Sequence, residues 1–383
     1  MANTQHPHPA PFGGSLVSPL TLGLFVAFAI AAGILAVRFA SGLGAVTNIN
    51  NGFPWGIWIV WDVVIITGFA CGGYAIALVT YILNRGEFHP LIRPALTAAV
   101  FGYSLGAFSV MVDLGRYWNF WHVLSPAYFN PGSVLFEVAA CISCYVLVLW
   151  IEFSPVFLKG EIRQKITKAM FVFIGLGVLL PSMHQSSMGS LLVVFGYQVH
   201  PLWQTPLLPL LFLMTAITMG FSVVIFETTT GAVYFQRSLK NEMPILAKLG
   251  KIIIGLLAVF LVVRFADILV RGAFGLIFTS GIKSVMFLLE IALFAAPIGL
   301  LYPEANRRKL SKLFASACLM LAGAVVYRLD AFLVAYDTGP GWHYFPSVTE
   351  ILVTFGFVAL EILVYIVFIR KFPILPGRPS SVR

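Results

Sequence analysis

The strongest constraint in this sequence is a succession of ten long apolar stretches, at approximately 16–37, 55–83, 95–114, 133–153, 169–195, 206–236, 250–270, 284–301, 313–335 and 348–370. A hydrocarbon core of ~30 Å needs roughly 20 apolar residues of helix. Within lipid, every backbone N–H and C=O must be satisfied inside the segment. An α-helix meets both conditions, so the expected fold is all-α and integral to a membrane, with about ten transmembrane helices. Composition agrees where it decides: 10% of the 383 residues are charged, against roughly 25% in soluble domains. The first stretch is not expected to be a cleaved signal peptide, because no basic segment precedes it and no polar mature domain follows.

The net charge of +9 invites a nucleic-acid reading that its distribution rejects. With the N-terminus inside, eighteen of the 24 basic residues fall on one side. They are Arg85, Arg93, those of segments 159–168, 237–251 and 307–312, and the tail from Arg370 to Arg378 and Arg383. Arg38, Arg116, Arg271 and Lys283 are left for the other side, and Arg264 and Arg328 lie inside helices. The positive-inside bias then orients both termini to the cytoplasm. The opposite loops, 41–55, 115–132 and 336–346, are long, aromatic and nearly uncharged, which suits a docking face.

Short matches at offsets of 151 to 154 residues suggest a duplication: Ile66-Thr67 with Ile217-Thr218, Ser133 with Ser284, and Asp113 with Asp267. The expected organisation is one polytopic domain over 1–383. Within it, 1–54 holds the tail, first helix and first loop, 55–195 a four-helix bundle (helices 2–5), 206–335 a second (helices 6–9), and 336–383 the tenth helix and tail.

An ionisable side chain at the centre of a membrane helix costs roughly 2.5–3.5 kcal/mol on insertion scales, so each needs a partner or a purpose. Asp62, Asp113, Glu137 and His184 come from four successive helices at similar depth toward the non-cytoplasmic side, with no evident cation beside them. They are candidates for a polar ligand or for protons. Arg264, Asp267, Glu290, Arg328 and Asp330 suit ion pairing in the second bundle, and Glu227 and Glu361 are further acidic groups within helices. The run Pro181-Ser-Met-His184-Gln185-Ser186-Ser187-Met-Gly189 is polar at bilayer depth, which is tolerated where it is buried in protein or faces a cavity.

Cys71, Cys141, Cys144 and Cys318 all fall within apolar helices and read as small packed hydrophobes. A bis-histidine haem needs two axial imidazoles on facing helices. Only His184 lies well inside one; His6, His8, His89, His122, His200 and His343 lie in the tail or loops. Metal ligation is not expected.

The motifs Asn51-Gly-Phe-Pro-Trp-Gly-Ile-Trp58, Asp113-Leu-Gly-Arg116-Tyr-Trp-Asn119, Ser133-Val-Leu-Phe-Glu137, Met183-His-Gln-Ser-Ser-Met-Gly189, His200-Pro-Leu-Trp203 and Phe221-Ser-Val-Val-Ile-Phe-Glu227 resemble the NrfD/polysulfide-reductase membrane-subunit family. Within it they resemble the ten-helix membrane subunits of hydrogenase-2 type nickel–iron hydrogenases. The resemblance implies a bacterial inner-membrane subunit without its own haem or iron–sulfur cluster. It implies electron exchange between an iron–sulfur subunit, with hydrogenase large and small subunits on the periplasmic side, and menaquinone or ubiquinone as substrate.

On this reading Glu137 and His184 handle protons, and Trp55, Asp62, Asp113, Arg116, Tyr117, Trp118 and Gln185 surround the quinone. Arg93, Tyr103 and Glu227 extend a proton path toward the cytoplasm, through Glu137 and His184. The rival expectations are a secondary transporter and a haem-bearing b-type cytochrome.

Overall fold

The computed structural model describes residues 10–375; His6, His8, Arg378 and Arg383 lie outside the described residues. The described chain is helical, without a β-strand. Ten helices are long and apolar enough to cross a membrane: α1 (Pro19–Ser41), α2 (Ile59–Ile82), α3 (Gly86–Asp113), α4 (Val134–Val156), α5 (Gly160–Gln198), α6 (Leu208–Tyr234), α7 (Met243–Val270), α8 (Ile282–Leu301), α9 (Leu310–Val334) and α10 (Val348–Lys371).

Their ends follow local chemistry. Pro19 occupies the first turn of α1, where its missing N–H is harmless. The Ser18 hydroxyl accepts from the Thr21 N–H in a capping box. Ser347 and Glu350 form the same reciprocal cap on α10. Hydropathy places some ends short of where they fall. α3 begins at Gly86, α5 at Gly160 and α7 at Met243, because polar and basic residues continue a helix into the headgroup region while their charged ends stay wet.

α6, α7, α8 and α9 pack in a closed ring, while α2, α3, α4 and α5 pack in sequence beside it. α2 and α6 join the two bundles, and α1 pairs with α10 against α3. α2 sits deepest, with 83% of its apolar window buried. Its backbone widens into π-helical turns at Ile59–Ile65 and Leu78–Ile82 and breaks between Phe69 and Gly72. Such irregularity is compatible with a bilayer where protein surrounds it, as it does around residues 62–65 and Cys71; the second π-helical turn, exposed at Tyr81 and Ile82, lies at the helix end.

The ends of the described chain meet on one face: the Phe12 N–H donates to the Ile369 carbonyl (3.1 Å) and Gly13 N–H to Arg370 (3.1 Å). The opposite, aromatic-loop face is knitted together by its loops. Asn48 and Asn50 side chains donate to the Phe345 and His343 carbonyls at 3.0 Å each. Tyr344 donates to Glu350 (2.7 Å) and accepts from the Ile57 N–H (2.7 Å). Across the bundle junction, the His200 N–H donates to the Ala335 carbonyl (2.8 Å).

Candidate functional site

The interior polar groups fall into four assemblies, each set by where a helix face turns. The central one is built on Arg328, from α9, fully buried and directed into the first bundle. Its guanidinium donates to the Val64 carbonyl (2.5 Å) and to Gln185 Oε1 (2.9 Å). Gln185 Nε2 in turn donates to Thr67 (3.0 Å) and to Tyr103 OH (3.5 Å). Cys71 lies 3.6 Å from the same Tyr103 oxygen. Tyr103 packs on Tyr145 at 4.5 Å and on His184 at 5.8 Å between ring centroids. His184 is completely buried. Neither of its nitrogens makes a regular hydrogen bond, although the Val138 backbone of α4 and the Arg328 charge are near it.

The second assembly lies toward the aromatic-loop face. Asp62, carried inward by the first π-helical turn, is buried with Oδ2 unpartnered, as is Asp113 Oδ1. Asp113 and Glu361 are the charged neighbours of Asp62, while Glu350 and Arg38 are those of Asp113. Hydropathy leaves Arg38 just outside the first apolar stretch, on the non-cytoplasmic side. It is instead a buried residue of α1 whose guanidinium donates to the Val112 carbonyl (2.6 Å) and to Leu114. The reason is that α1 runs on to Ser41, one turn past its apolar limit. Arg38 also lies over the Tyr117 ring at 5.3 Å.

The third assembly is the ion pairing expected in the second bundle. Arg264 faces Glu290 at 3.5 Å, Trp203 Nε1 donates to Glu290 at 2.8 Å, and Arg271 pairs with Asp267 at 2.6 Å. Two expected members depart from it: Arg328 joins the first bundle, and both carboxylate oxygens of Asp330 lack a hydrogen bond. The fourth lies toward the termini face. There Glu227, Tyr365, Arg237 and Glu242 line a narrow cavity with about 10 Å³ open to water, roughly one molecule. Arg237 and Glu242 pair at 2.6 Å.

The residues proposed from sequence are thus distributed over several places. Gln185, Tyr103 and His184 share the central assembly, and Asp62 and Asp113 the second. Tyr117 packs edge-on against Phe39 (4.8 Å), and Trp118 stands 58% exposed beside it. Glu137 is half-buried in the first turn of α4 and Arg116 is exposed. Trp55 sits instead in an aromatic cluster at the bundle junction. It donates to the Phe332 carbonyl (3.0 Å) and packs against Phe195 and Tyr336 at 4.9 and 4.7 Å. Arg93 is exposed at the termini face and donates to Pro373 (3.3 Å).

The expectation of four acid–base groups without cations needs correcting, since Arg38 stands by Asp113 and Arg328 by His184. Nothing in the sequence points to Thr67, Cys71 or Tyr145 as members of a polar site, because apolar periodicity cannot say which helix a given face meets. Cys71 and Cys141 are buried as expected, but Cys144 is exposed on the outer surface of α4.

The rings that surround the histidines set the terms for any axial ligand. The His184 ring meets Tyr103, whereas His89 meets Tyr81 at the far end of α3 (6.4 Å) and His122 stacks on Tyr128 in a loop (4.0 Å).

These features define a polytopic α-helical membrane protein with a buried polar seam crossing its first bundle and an aromatic face beside it. Residues 45–336 match the family described as Polysulphide reductase, NrfD, and the chain belongs to that family. It is 45% identical, over 96% of this chain and 95% of the relative, to the probable Ni/Fe-hydrogenase 2 b-type cytochrome subunit of Escherichia coli strain K12. It is 28% identical, over 92% and 89%, to the integral membrane subunit of a menaquinone reductase from Nitratidesulfovibrio vulgaris. It is 24% identical, over 95% and 96%, to the integral membrane subunit of an Hdr-like menaquinol oxidoreductase from Archaeoglobus fulgidus. Membership sets the secondary-transporter expectation aside: these relatives are membrane subunits of redox complexes.

Proposed function

We propose that this chain is the quinone-reactive membrane subunit of a respiratory redox complex, with a nickel–iron hydrogenase and its iron–sulfur subunit seated on the aromatic-loop face. The carrying observation is the pair of buried, unpartnered carboxylate atoms toward that face, Asp62 Oδ2 and Asp113 Oδ1, together with the completely buried His184 imidazole of the central assembly. Buried polar atoms without partners are costly, and a quinone with its protons would satisfy them. The names of the relatives, two of which carry menaquinone or menaquinol, support the same substrate class. The basic bias of the termini face supports a cytoplasmic location for both ends.

Reduction of a quinone consumes two electrons from the partner and two protons. In this reading Asp62, Asp113 and Gln185 orient the headgroup and its surroundings, Glu137 and His184 exchange protons with it, and Tyr117, Trp118 and Arg116 close the mouth. Trp55 stiffens the bundle junction behind the site. Tyr103, Glu227 and Arg93 mark the route to the cytoplasm, so that turnover moves protons across the membrane.

The test is quinone turnover by the purified complex. Glu137→Gln and His184→Phe are each expected to lower quinone-dependent hydrogen oxidation by about 10²-fold, while hydrogen oxidation with a soluble dye stays unchanged. Equal loss with dye and with quinone, or no loss with either variant, would remove these residues from the reaction.

A further inference from the structure

We propose that Glu361, in α10, is the mid-membrane link of an acid series that carries protons between the termini face and the quinone site. This rests on the proton-coupled quinone reading above and adds to it a residue outside the family match, which ends at residue 336. The tenth helix is then part of the conduction machinery as well as an accessory span.

The placement follows step by step. Glu227 Oε2 is buried without a hydrogen bond, and Glu227 and Tyr365 share the small cavity toward the termini face. Glu361 precedes Tyr365 by four residues on the same helix, so the two side chains lie on one face, one turn apart. At ~1.5 Å per residue, Glu361 is about 20 Å from the Val348 end of α10 and about 15 Å from its Lys371 end, which is the middle of the membrane.

Room for its carboxyl is made by Gly102 of α3, where a Cβ would lie 3.0 Å from Glu361 Oε1 and 2.7 Å from the Ala70 Cβ. One turn further along α3 is Gly106, where a Cβ would lie 3.0 Å from the Asp62 backbone oxygen. Two small residues on one helix therefore bring α10 and α2 in at successive turns. Glu361 is an acidic neighbour of both Glu227 and Asp62, and Asp62 neighbours Asp113. None of the ion pairs formed among the described residues includes Glu361. A lone carboxyl at this depth, without a cation, is costly as a fixed charge and suited to exchanging a proton.

A proton entering at Glu227 passes to Glu361 and on toward Asp62 and Asp113 beside the quinone, where Glu137 and His184 hand it to a quinone that has received electrons from the iron–sulfur partner. Two protons and two electrons complete the quinol, and oxidation reverses each step.

The test uses the whole complex reconstituted in liposomes, reading the membrane potential and proton uptake per quinone reduced. The wild type is expected to generate a potential. Glu361→Gln is expected to lower proton uptake from the termini side by about tenfold or more with an unchanged melting temperature, and Glu361→Asp to restore part of it. A Glu361→Gln complex that matches the wild-type potential overturns the role of Glu361 and leaves quinone reactivity standing. A wild type that turns over quinone without any potential removes proton coupling itself, and the Glu361 role with it. Should Glu361→Gln fail to accumulate, Glu361→Asp decides: proton uptake slowed by about threefold supports the link, and an unchanged rate overturns it.

Discussion

Arg328 shows how much one residue can hide from sequence. Its depth marks it as an arginine that requires partners, and an acidic neighbour in its own bundle is the natural expectation. The structure supplies neutral oxygens from the other bundle: the buried Val64 carbonyl, within the first π-helical turn of α2, and the Gln185 amide. The motif around His184 was readable as a polar interior surface, but the arginine that meets it lies 143 positions away in sequence. Arg328→Met would leave Gln185 Oε1 and Val64 O buried and unpaired. Hydrogen bonds to charged groups contribute about 1.5–3 kcal/mol each, so a loss of about 3 kcal/mol is expected, visible as a lower melting temperature in detergent. Arg328→Lys would fall between the two, because an ammonium lacks the fork that reaches both oxygens. A Met variant that melts like the wild type would mean the network contributes nothing to stability.

At the scale of elements, the ten spans were legible because lipid imposes length and apolarity on each one, while packing partners and helix ends were not. α1 extends to include Arg38, and α5 continues well outside its apolar stretch. The contact between α2 and α6 depends on a feature that hydropathy does not register. A Cβ at Gly220 would lie 2.6 Å from the Cys71 carbonyl oxygen and 2.8 Å from the Ala75 Cβ, so the two backbones touch where α2 is interrupted. Close approach of this kind is a recurrent basis of helix association in lipid. Gly220→Ala is therefore expected to force α6 away from α2 at a cost of about 1–3 kcal/mol and to disturb Cys71 and Tyr103 behind it. Gly255→Ala, at a position with open space around its Cβ, is the control and should be neutral or slightly stabilising, since alanine is the better helix former. Comparable melting temperatures for the two variants would refute the tight α2–α6 contact.

The whole molecule is asymmetric between its two faces, and the asymmetry bears directly on assembly. One face carries the ends of the described chain and most of its basic residues. The other carries large rings in the open: Trp118 at 58% exposed, Trp121 at 46%, Tyr128 at 59%, Tyr197 at 94% and Phe345 at 78%. The loops bearing them are held in place by ordered contacts, as between Asn50 and the His343 carbonyl or His122 and Tyr128, so the surface is preorganised. Large exposed aromatic patches on a constrained scaffold are typical of partner interfaces, and preorganisation lowers the ordering cost of binding. The iron–sulfur partner in the proposed complex would seat here, on the face toward which the Asp62–Asp113 region lies. Buried aromatic anchors often contribute about 2 kcal/mol or more each at such interfaces. Trp118→Ala combined with Trp121→Ala is then expected to weaken retention of the partner by about 30-fold or more in mild-detergent purification, with the chain itself still folded and inserted. Charge reversal at Lys248 and Lys251, exposed on the termini face, should leave retention unchanged. If the charge reversals release the partner and the tryptophan variants do not, the complex docks on the opposite side and the electron route proposed here must be redrawn.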